Sequence, residues 1–232
     1  MINVFFDLKL KHKINKMNVF FIDYETTGLN PYYNEPIEIA IKKINSENHF
    51  QSLIKPEING INYQYVPQKI QEITGITDED IVKSAKEINE VTSSLLEYIK
   101  NNSDEGPIYI LAHNGYLFDF IFFRKMINDY LTTEGVKTRR KSFKTMIDRF
   151  EYIDTVLVAR LLLRDETVRQ PSLCKKYNII NESEHRAYGD IIALEKIYKI
   201  ICEHLSYIHK KNNKNYYIDR PGEILQKTTF NL

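Results

Sequence analysis

Apolar residues fill Val19–Ile22 without a break, and Gly28 and Pro31 bound the stretch that follows. This pattern predicts a buried central strand. Successive strand side chains alternate between faces, so Val19, Phe21, Asp23 and Glu25 share one face, which begins apolar and ends acidic. In Pro36–Ile44, the alternation of Ile37, Ile39 and Ile41 predicts a half-exposed strand. His49–Lys55 reads as a third strand, ended by Pro56. Short connections make these three an antiparallel meander. Residues Glu57–Val66 read as irregular. Pro67 opens a short helix that stops near Gly75, and Thr77 begins another. Ser84-Ala-Lys-Glu87 has the form of a capping box, with Ile88, Val91, Leu95 and Ile99 at helical spacing behind it.

Strands and helices then alternate. Ile108–Ala112 is a buried strand, and Phe118–Tyr130 a strongly apolar helix. Leu131–Arg149 is polar and basic, and reads as a loop or insertion. Tyr152–Ile153 leads to Asp154, a plausible N-cap for a helix over Thr155–Leu163. Pro171 opens a short helix to Tyr177, and Ala187–Ile208 is a long one. From Lys210 the polar composition predicts a loosely docked tail. The expected fold class is α/β: a single mixed sheet, an antiparallel meander followed by parallel strands, flanked by helices. The expected organisation is an N-terminal extension (1–17), one domain (18–208) with a basic insertion (131–149), and a C-terminal tail (209–232).

Length and composition change this little. At 232 residues, 43% hydrophobic and 27% charged, the chain has the make-up of one globular domain. Its net charge of +1 gives no global pull toward nucleic acid, so such binding must be local. Cys174 and Cys202 have no metal-ligand spacing and read as packing residues of a reduced protein. No stretch approaches the roughly 20 apolar residues of a membrane span. Ile2–Leu10 is partly apolar and precedes the basic Lys9–Lys16, the wrong order for a secretory signal. The expected location is therefore intracellular, in cytoplasm or nucleus, with no membrane partner.

The chemistry lies in acids on apolar faces. Asp119 shares its helix face with Phe123, Met126 and Tyr130, and Asp190 with Ala193, Leu194, Ile197 and Ile201. A single acid at a helix N-terminus is explained by the helix dipole. Two such helices, together with Asp23 and Glu25, are more simply explained by a shared cation, because clustered carboxylates in low dielectric repel. Oxygen-only ligands point to Mg²⁺ or Mn²⁺. His185, five residues before Asp190, could serve there as a general base, although a lone loop histidine is more often simply solvated. Four carboxylates and a histidine around two metals ~3.5–4 Å apart are the groups that in-line phosphodiester hydrolysis requires.

At these residues the chain resembles the DnaQ-like 3′–5′ exonucleases of the DEDDh group, which have an RNase H-like fold. Asp23-Tyr-Glu25-Thr-Thr-Gly-Leu resembles the first motif of that family, and His113-Asn114-Gly115-Tyr-Leu-Phe118-Asp119-Phe120 the second. His185-Arg-Ala187-Tyr-Gly-Asp190 resembles the third, preceded by Tyr152-Ile-Asp154-Thr. The likeness spans about Asn18–Ile208 and is nearest in motif to three-prime repair exonucleases. It implies two Mg²⁺ ions, replaceable by Mn²⁺, held by Asp23, Glu25, Asp119 and Asp190, with His185 as base. It also implies that Thr26, Thr27 and Gly28 approach the terminal sugar and that Leu29 wedges against the terminal base. Simple packing is the plainer account of Leu29. His113 and Asn114 would shape the site by hydrogen bonds.

The implied activity is metal-dependent removal of nucleoside 5′-monophosphates from 3′ ends of single-stranded nucleic acid, with DNA favoured. The alternatives are a 3′–5′ exoribonuclease and a catalytically silent binding module or polymerase proofreading partner on the same fold. The resemblance admits a homodimer and a polymerase or repair partner. One feature departs from the family. Residues 132–149 carry Lys137, Arg139, Arg140, Lys141, Lys144 and Arg149. Of these, Arg139, Arg140 and Lys141, helped by Phe143, are candidates to grip a phosphate backbone; a solvated loop is the alternative.

Overall fold

Strand β1 (Val19–Thr26) lies at the centre of the molecule because both of its faces are apolar. In the computed structural model, which describes residues 17–58, 61–62, 65–132, 143–163 and 167–229, β1 pairs antiparallel with β2 (Pro36–Lys43) and parallel with β6 (Ile108–Ala112). Strand β3 (His49–Leu53) closes one edge against β2, and β7 (Phe150–Asp154) the other against β6. The sheet order is β3-β2-β1-β6-β7, the expected meander followed by parallel strands. Within the stretch read as irregular, β4 (Glu57–Ile58) and β5 (Ile61–Asn62) form a small separate ladder.

Helices cover both faces. Phe20 and Ile22 point toward α3 (Ile88–Asn101) and α4 (Asp119–Thr132), where Leu95, Phe122 and Phe123 bury against them. Val19 and Phe21 point toward α7 (Ala187–Ile208), which lies on β1 and β2 and is backed by α5 (Thr155–Leu162) and α6 (Gln170–Lys176). Two short helices, α1 (Gln68–Thr74) and α2 (Asp78–Ser84), bridge β3 to α3. Gly75, at φ +69°, ends α1 in the left-handed conformation that its missing Cβ makes cheap. Among the described residues, no helix is long and apolar enough to cross a membrane.

Four local expectations fail, each for a physical reason. Strand β2 is buried on both faces rather than half-exposed. Ile39 and Ile41 meet the α3–α4 core and Ile37 packs with Val66, Ile76 and Ile81, while Glu38 and Lys42 lie beneath α7 with charged partners there. The Ser84–Glu87 capping box does not form: Ser84 is the last residue of α2, and Glu87 caps α3 without a side-chain bond. The true capping box is at Thr77–Asp80. The stretch read as a basic loop is helical at 143–147, and Phe143 and Met146 are buried in the α3–α4 core. The polar tail is docked, not loose. Tyr217, Ile218 and Ile224 join the α7 core, and Pro221–Thr229 forms α8.

Candidate active site

The parallel strands β1, β6 and β7 all end at one edge of the sheet, the edge where open α/β sheets place their ligand crevices. Strand β1 carries Asp23 and Glu25 to that edge on the face beneath α7, and the first turn of α7 brings Asp190 over them. One carboxylate oxygen from each of the three lies within 4.8 Å of the others. Three oxygen donors at that spacing suit a hard divalent cation. Asp119, the first residue of α4 and 2% exposed, lies outside this trio. Its Oδ1 accepts the Tyr24 N–H at 3.2 Å, which ties α4 to β1 within the acid cluster.

The electrostatics show what the cluster lacks. Burial, followed by the charges of Asp119, Asp190, Glu25 and Glu38, raises Asp23 well above the carboxylate range. Burial, then Asp190, Glu38 and Asp119, pushes Glu25 up to about 8, against a downward pull from Arg186. Asp119 is raised to about 7 and Asp190 to about 6, in both cases mainly by burial. Hydrogen-bonding partners offset part of this for Asp190. Asn181 Nδ2 at 2.8 Å and Gln170 Nε2 at 3.2 Å donate to its Oδ1, and the His185 N–H donates to Oδ2 at 3.1 Å. Four crowded acids that resist ionisation fit a cation whose charge would offset their repulsion.

His185 has a backbone φ of +62°, and its side chain is half exposed, with Nε2 4.0 Å from Glu184 Oε1. It lines a cavity of about 580 Å³ together with Asp23, Asp190, His113 and Asn114. Arg160, at the end of α5, and Arg169, before α6, line the same cavity, and neither makes an ion pair among the described residues. The imidazole of His113 is held rather than free. A carbonyl only accepts, so Nε2–H donates to Val168 O at 2.7 Å, and Nδ1 lies 2.9 Å from the Thr155 hydroxyl, which itself donates to the Ala112 carbonyl at 3.1 Å. Burial lowers its pKa, which disfavours the charged ring. Asn114, at φ +69°, donates its N–H to Asp154 Oδ1 at 3.0 Å. Asp154 caps α5 through Val156 N–H and also takes Tyr116 N–H, so it braces the loop after β6.

The first-motif loop is rigid through its own bonds. Thr26 Oγ1 donates to Gly28 O, and Thr27 Oγ1 accepts from Glu35 N–H. A Cβ on Gly28 would stand 2.7 Å from Asn34 Oδ1, so any other residue there would displace the end of the Asn34 side chain. Leu29 is 88% exposed, which removes packing as its explanation. Arg139, Arg140 and Lys141 lie outside the described residues. Phe143 is buried and unavailable to a base. Arg149 is spent on the loop at Asp104 and Gly106, where its guanidinium donates to both carbonyls. Sequence reasoning missed Glu38, Arg160, Arg169, Gln170 and Asn181. Only Glu38, a charge within an apolar alternation, carried a signal that could have revealed it.

Fold and acid cluster together define a DnaQ-like nuclease of RNase H-like architecture. The exonuclease family model RNase_T matches residues 20–198, and the chain belongs to that family. Among curated relatives, the PolC-type DNA polymerase III of Thermotoga petrophila is 29% identical over 190 residues, which are 81% of this chain and 12% of the polymerase. The chloroplastic/mitochondrial exonuclease DPD1 of Arabidopsis thaliana is 27% identical over 79% of this chain and 55% of its own length. This chain thus spans only part of each. Among solved structures, E. coli exonuclease I in complex with a dT13 oligonucleotide superposes with a TM-score of 0.62 at 18% identity, covering 83% of this chain and 42% of that one.

Proposed function

We propose that this chain is a 3′–5′ exonuclease of the DEDDh type. It hydrolyses phosphodiester bonds at 3′ ends of single-stranded DNA and releases nucleoside 5′-monophosphates. The observation that carries this reading is the half-buried trio Asp23, Glu25 and Asp190, with oxygens within 4.8 Å of one another and the buried Asp119 beside it. Asp23, Glu25, Asp119 and Asp190 would hold two Mg²⁺ ions, with Mn²⁺ as substitute. Bound there, Mg²⁺ supplies positive charge to the phosphodiester oxygens as negative charge builds on them.

The chain's own residues do the rest. His185, the imidazole of the same cavity whose nitrogens no backbone bond holds among the described residues, takes the proton of the attacking water. Arg160 and Arg169 give the polyanion countercharge beside an acidic centre. Leu29, projecting from a rigid loop, meets the terminal base. DNA is favoured over RNA because the relatives include DNA polymerases and the superposed exonuclease was solved with dT13. A polymerase is the first partner class to test on the same ground.

The test uses 5′-labelled single-stranded DNA and RNA of one sequence, with Mg²⁺, Mn²⁺ or EDTA, beside Asp23→Ala. The expected result is a metal-dependent ladder that shortens from the 3′ end, faster on DNA and absent in the variant. Faster shortening of RNA would reassign the sugar. Retained binding with no cleavage under any metal would make the chain a silent binding module.

A further inference from the structure

Glu38 is a buried carboxylate that the chemistry above leaves unused. It stands opposite Glu25 across the β1–β2 pair, is 1% exposed, and does not line the cavity. Its oxygens are directed at the start of α7. Arg186 donates to it from Nη2 at 2.6 Å and Nε at 3.2 Å, and the Ala187 N–H donates at 3.1 Å. Gln51 Nε2 on β3 adds a fourth bond at 2.9 Å. The gripped residues lie between His185 and Asp190, and the Arg186 carbonyl accepts the Asp190 N–H at 3.0 Å.

From this geometry we infer that Glu38 and Arg186 are a positioning pair, which fixes His185 and Asp190 against Asp23 and Glu25. The reasoning is mechanical and electrostatic. Glu38 is set in a sheet strand adjacent to β1, so its position relative to Asp23 and Glu25 is given by backbone hydrogen bonds. A two-pronged guanidinium–carboxylate pair transmits that position with a defined direction, which a lysine point charge would not. The Ala187 bond satisfies one of the free N–H groups at the start of α7, so the carboxylate also anchors the helix that carries Asp190. The left-handed backbone of His185, a conformation that non-glycine residues adopt only when the surroundings impose it, lies next to this clamp. This inference deepens the proposed nuclease reading and rests on it for the roles of His185 and Asp190.

Two variants test it. Glu38→Gln keeps shape and volume but loses the charge. Arg186→Lys keeps the charge but loses the fork, and it acts on a side chain that is 41% exposed, so the fold survives it. Three quantities are read on each: Mn²⁺ affinity by calorimetry, kcat and KM on a labelled oligonucleotide, and thermal midpoint. Both variants are expected to lose about 10–100-fold in Mn²⁺ affinity and in kcat, the range typical of partners that orient metal ligands, with KM moving less. The double variant is expected to be no worse than the worse single one, because one interaction is removed twice. If Arg186→Lys folds and keeps the parent's Mn²⁺ affinity and kcat, the pair is a structural buckle only and the inference is overturned. Should Glu38→Gln fail to fold, Arg186→Lys decides alone. The calorimetric arm is independent of the nuclease reading: a parent that binds Mn²⁺ but cleaves nothing rejects that reading and still tests the clamp.

Discussion

Helix α7 carries two acids that face the sheet, Asp190 half-buried and Glu195 buried, and they are treated in opposite ways. Asp190, in its first turn, faces Asp23 and Glu25 and is raised to about 6. Glu195, further along, is also pushed up by burial, but Lys199 and Lys42 with the Asn45 N–H outweigh that and hold it below its ordinary value. Lys42 meets Glu195 in a close ion pair beneath the helix, and Lys199 meets it at 2.5 Å from the rim. Glu38, between them on β2, is paired with Arg186. The same helix–sheet interface therefore supplies counterions where acids serve structure and withholds them where acids converge on a cavity. The difference separates holding the fold from holding a ligand. It also means that activity and stability must respond oppositely to mutation at the two ends.

The sharpest way to break that contrast is Asp23→Asn. If the cluster exists to bind cations, cleavage should fall by about 10³-fold, equivalent to several kcal/mol of lost charge stabilisation. The metal-free protein should meanwhile melt higher, because an amide in place of Asp23 removes the cost of keeping a carboxyl among repelling acids. A variant that melts lower and still cleaves would show that Asp23 is structural. The converse is Glu195→Gln, which strands Lys42 at 8% side-chain exposure. Breaking a buried pair costs about 3–5 kcal/mol, and for a chain of this size that lowers the melting temperature by roughly 10 °C. At permissive temperature kcat should stay within about two-fold of the parent, well short of the tenfold that 1.4 kcal/mol represents. A large loss of kcat there would erase the distinction between the two ends.

The gentlest test is pH. Glu25, Asp119 and Asp190 hold protons in the folded, metal-free state up to about 8, 7 and 6, whereas the unfolded chain releases them at ordinary values of 4.5 and 3.8. Between those limits the native state binds more protons, so metal-free stability should fall as pH rises from about 5 to 8. The expected slope is on the order of 1 kcal/mol per pH unit. Saturating Mg²⁺ should flatten or reverse it, because the ion binds the ionised acids. Denaturant melts at several pH values, with Mg²⁺ and with EDTA, read this directly. Parallel curves would mean that the acids do not meet the ion.

How far the chain can be read without a structure differs by element. Strand β1 was legible as the central strand and helix α7 in its full extent, because a dense apolar pattern and a long 3.6-residue period leave few alternatives. The inward acids were legible for the same reason: Asp119 and Asp190 interrupt apolar faces whose period is otherwise clear. The double burial of β2 was not, because it depends on Glu38 and Lys42 finding Arg186 and Glu195 about 150 residues away. Phe143 was misread because it sits among basic residues, and local composition does not report that a ring turns inward toward Tyr130. The docked tail escaped for a similar reason. Tyr217 is buried by α7 packing and by a hydrogen bond to His209, neither of which local polarity reveals.

One consequence follows from where the acids sit in the chain. Asp23 and Glu25 lie near its start, Asp119 at its middle and Asp190 toward its end, and β1 cannot complete its pairing until β6 has been made. On the ribosome the first two carboxylates therefore emerge well before the other two. Contacts so distant in sequence form late, after loop closure has been overcome. The four-acid centre thus cannot form until the chain through Asp190 has been made and folded. Whatever chemistry the four acids perform would therefore wait on that order of assembly.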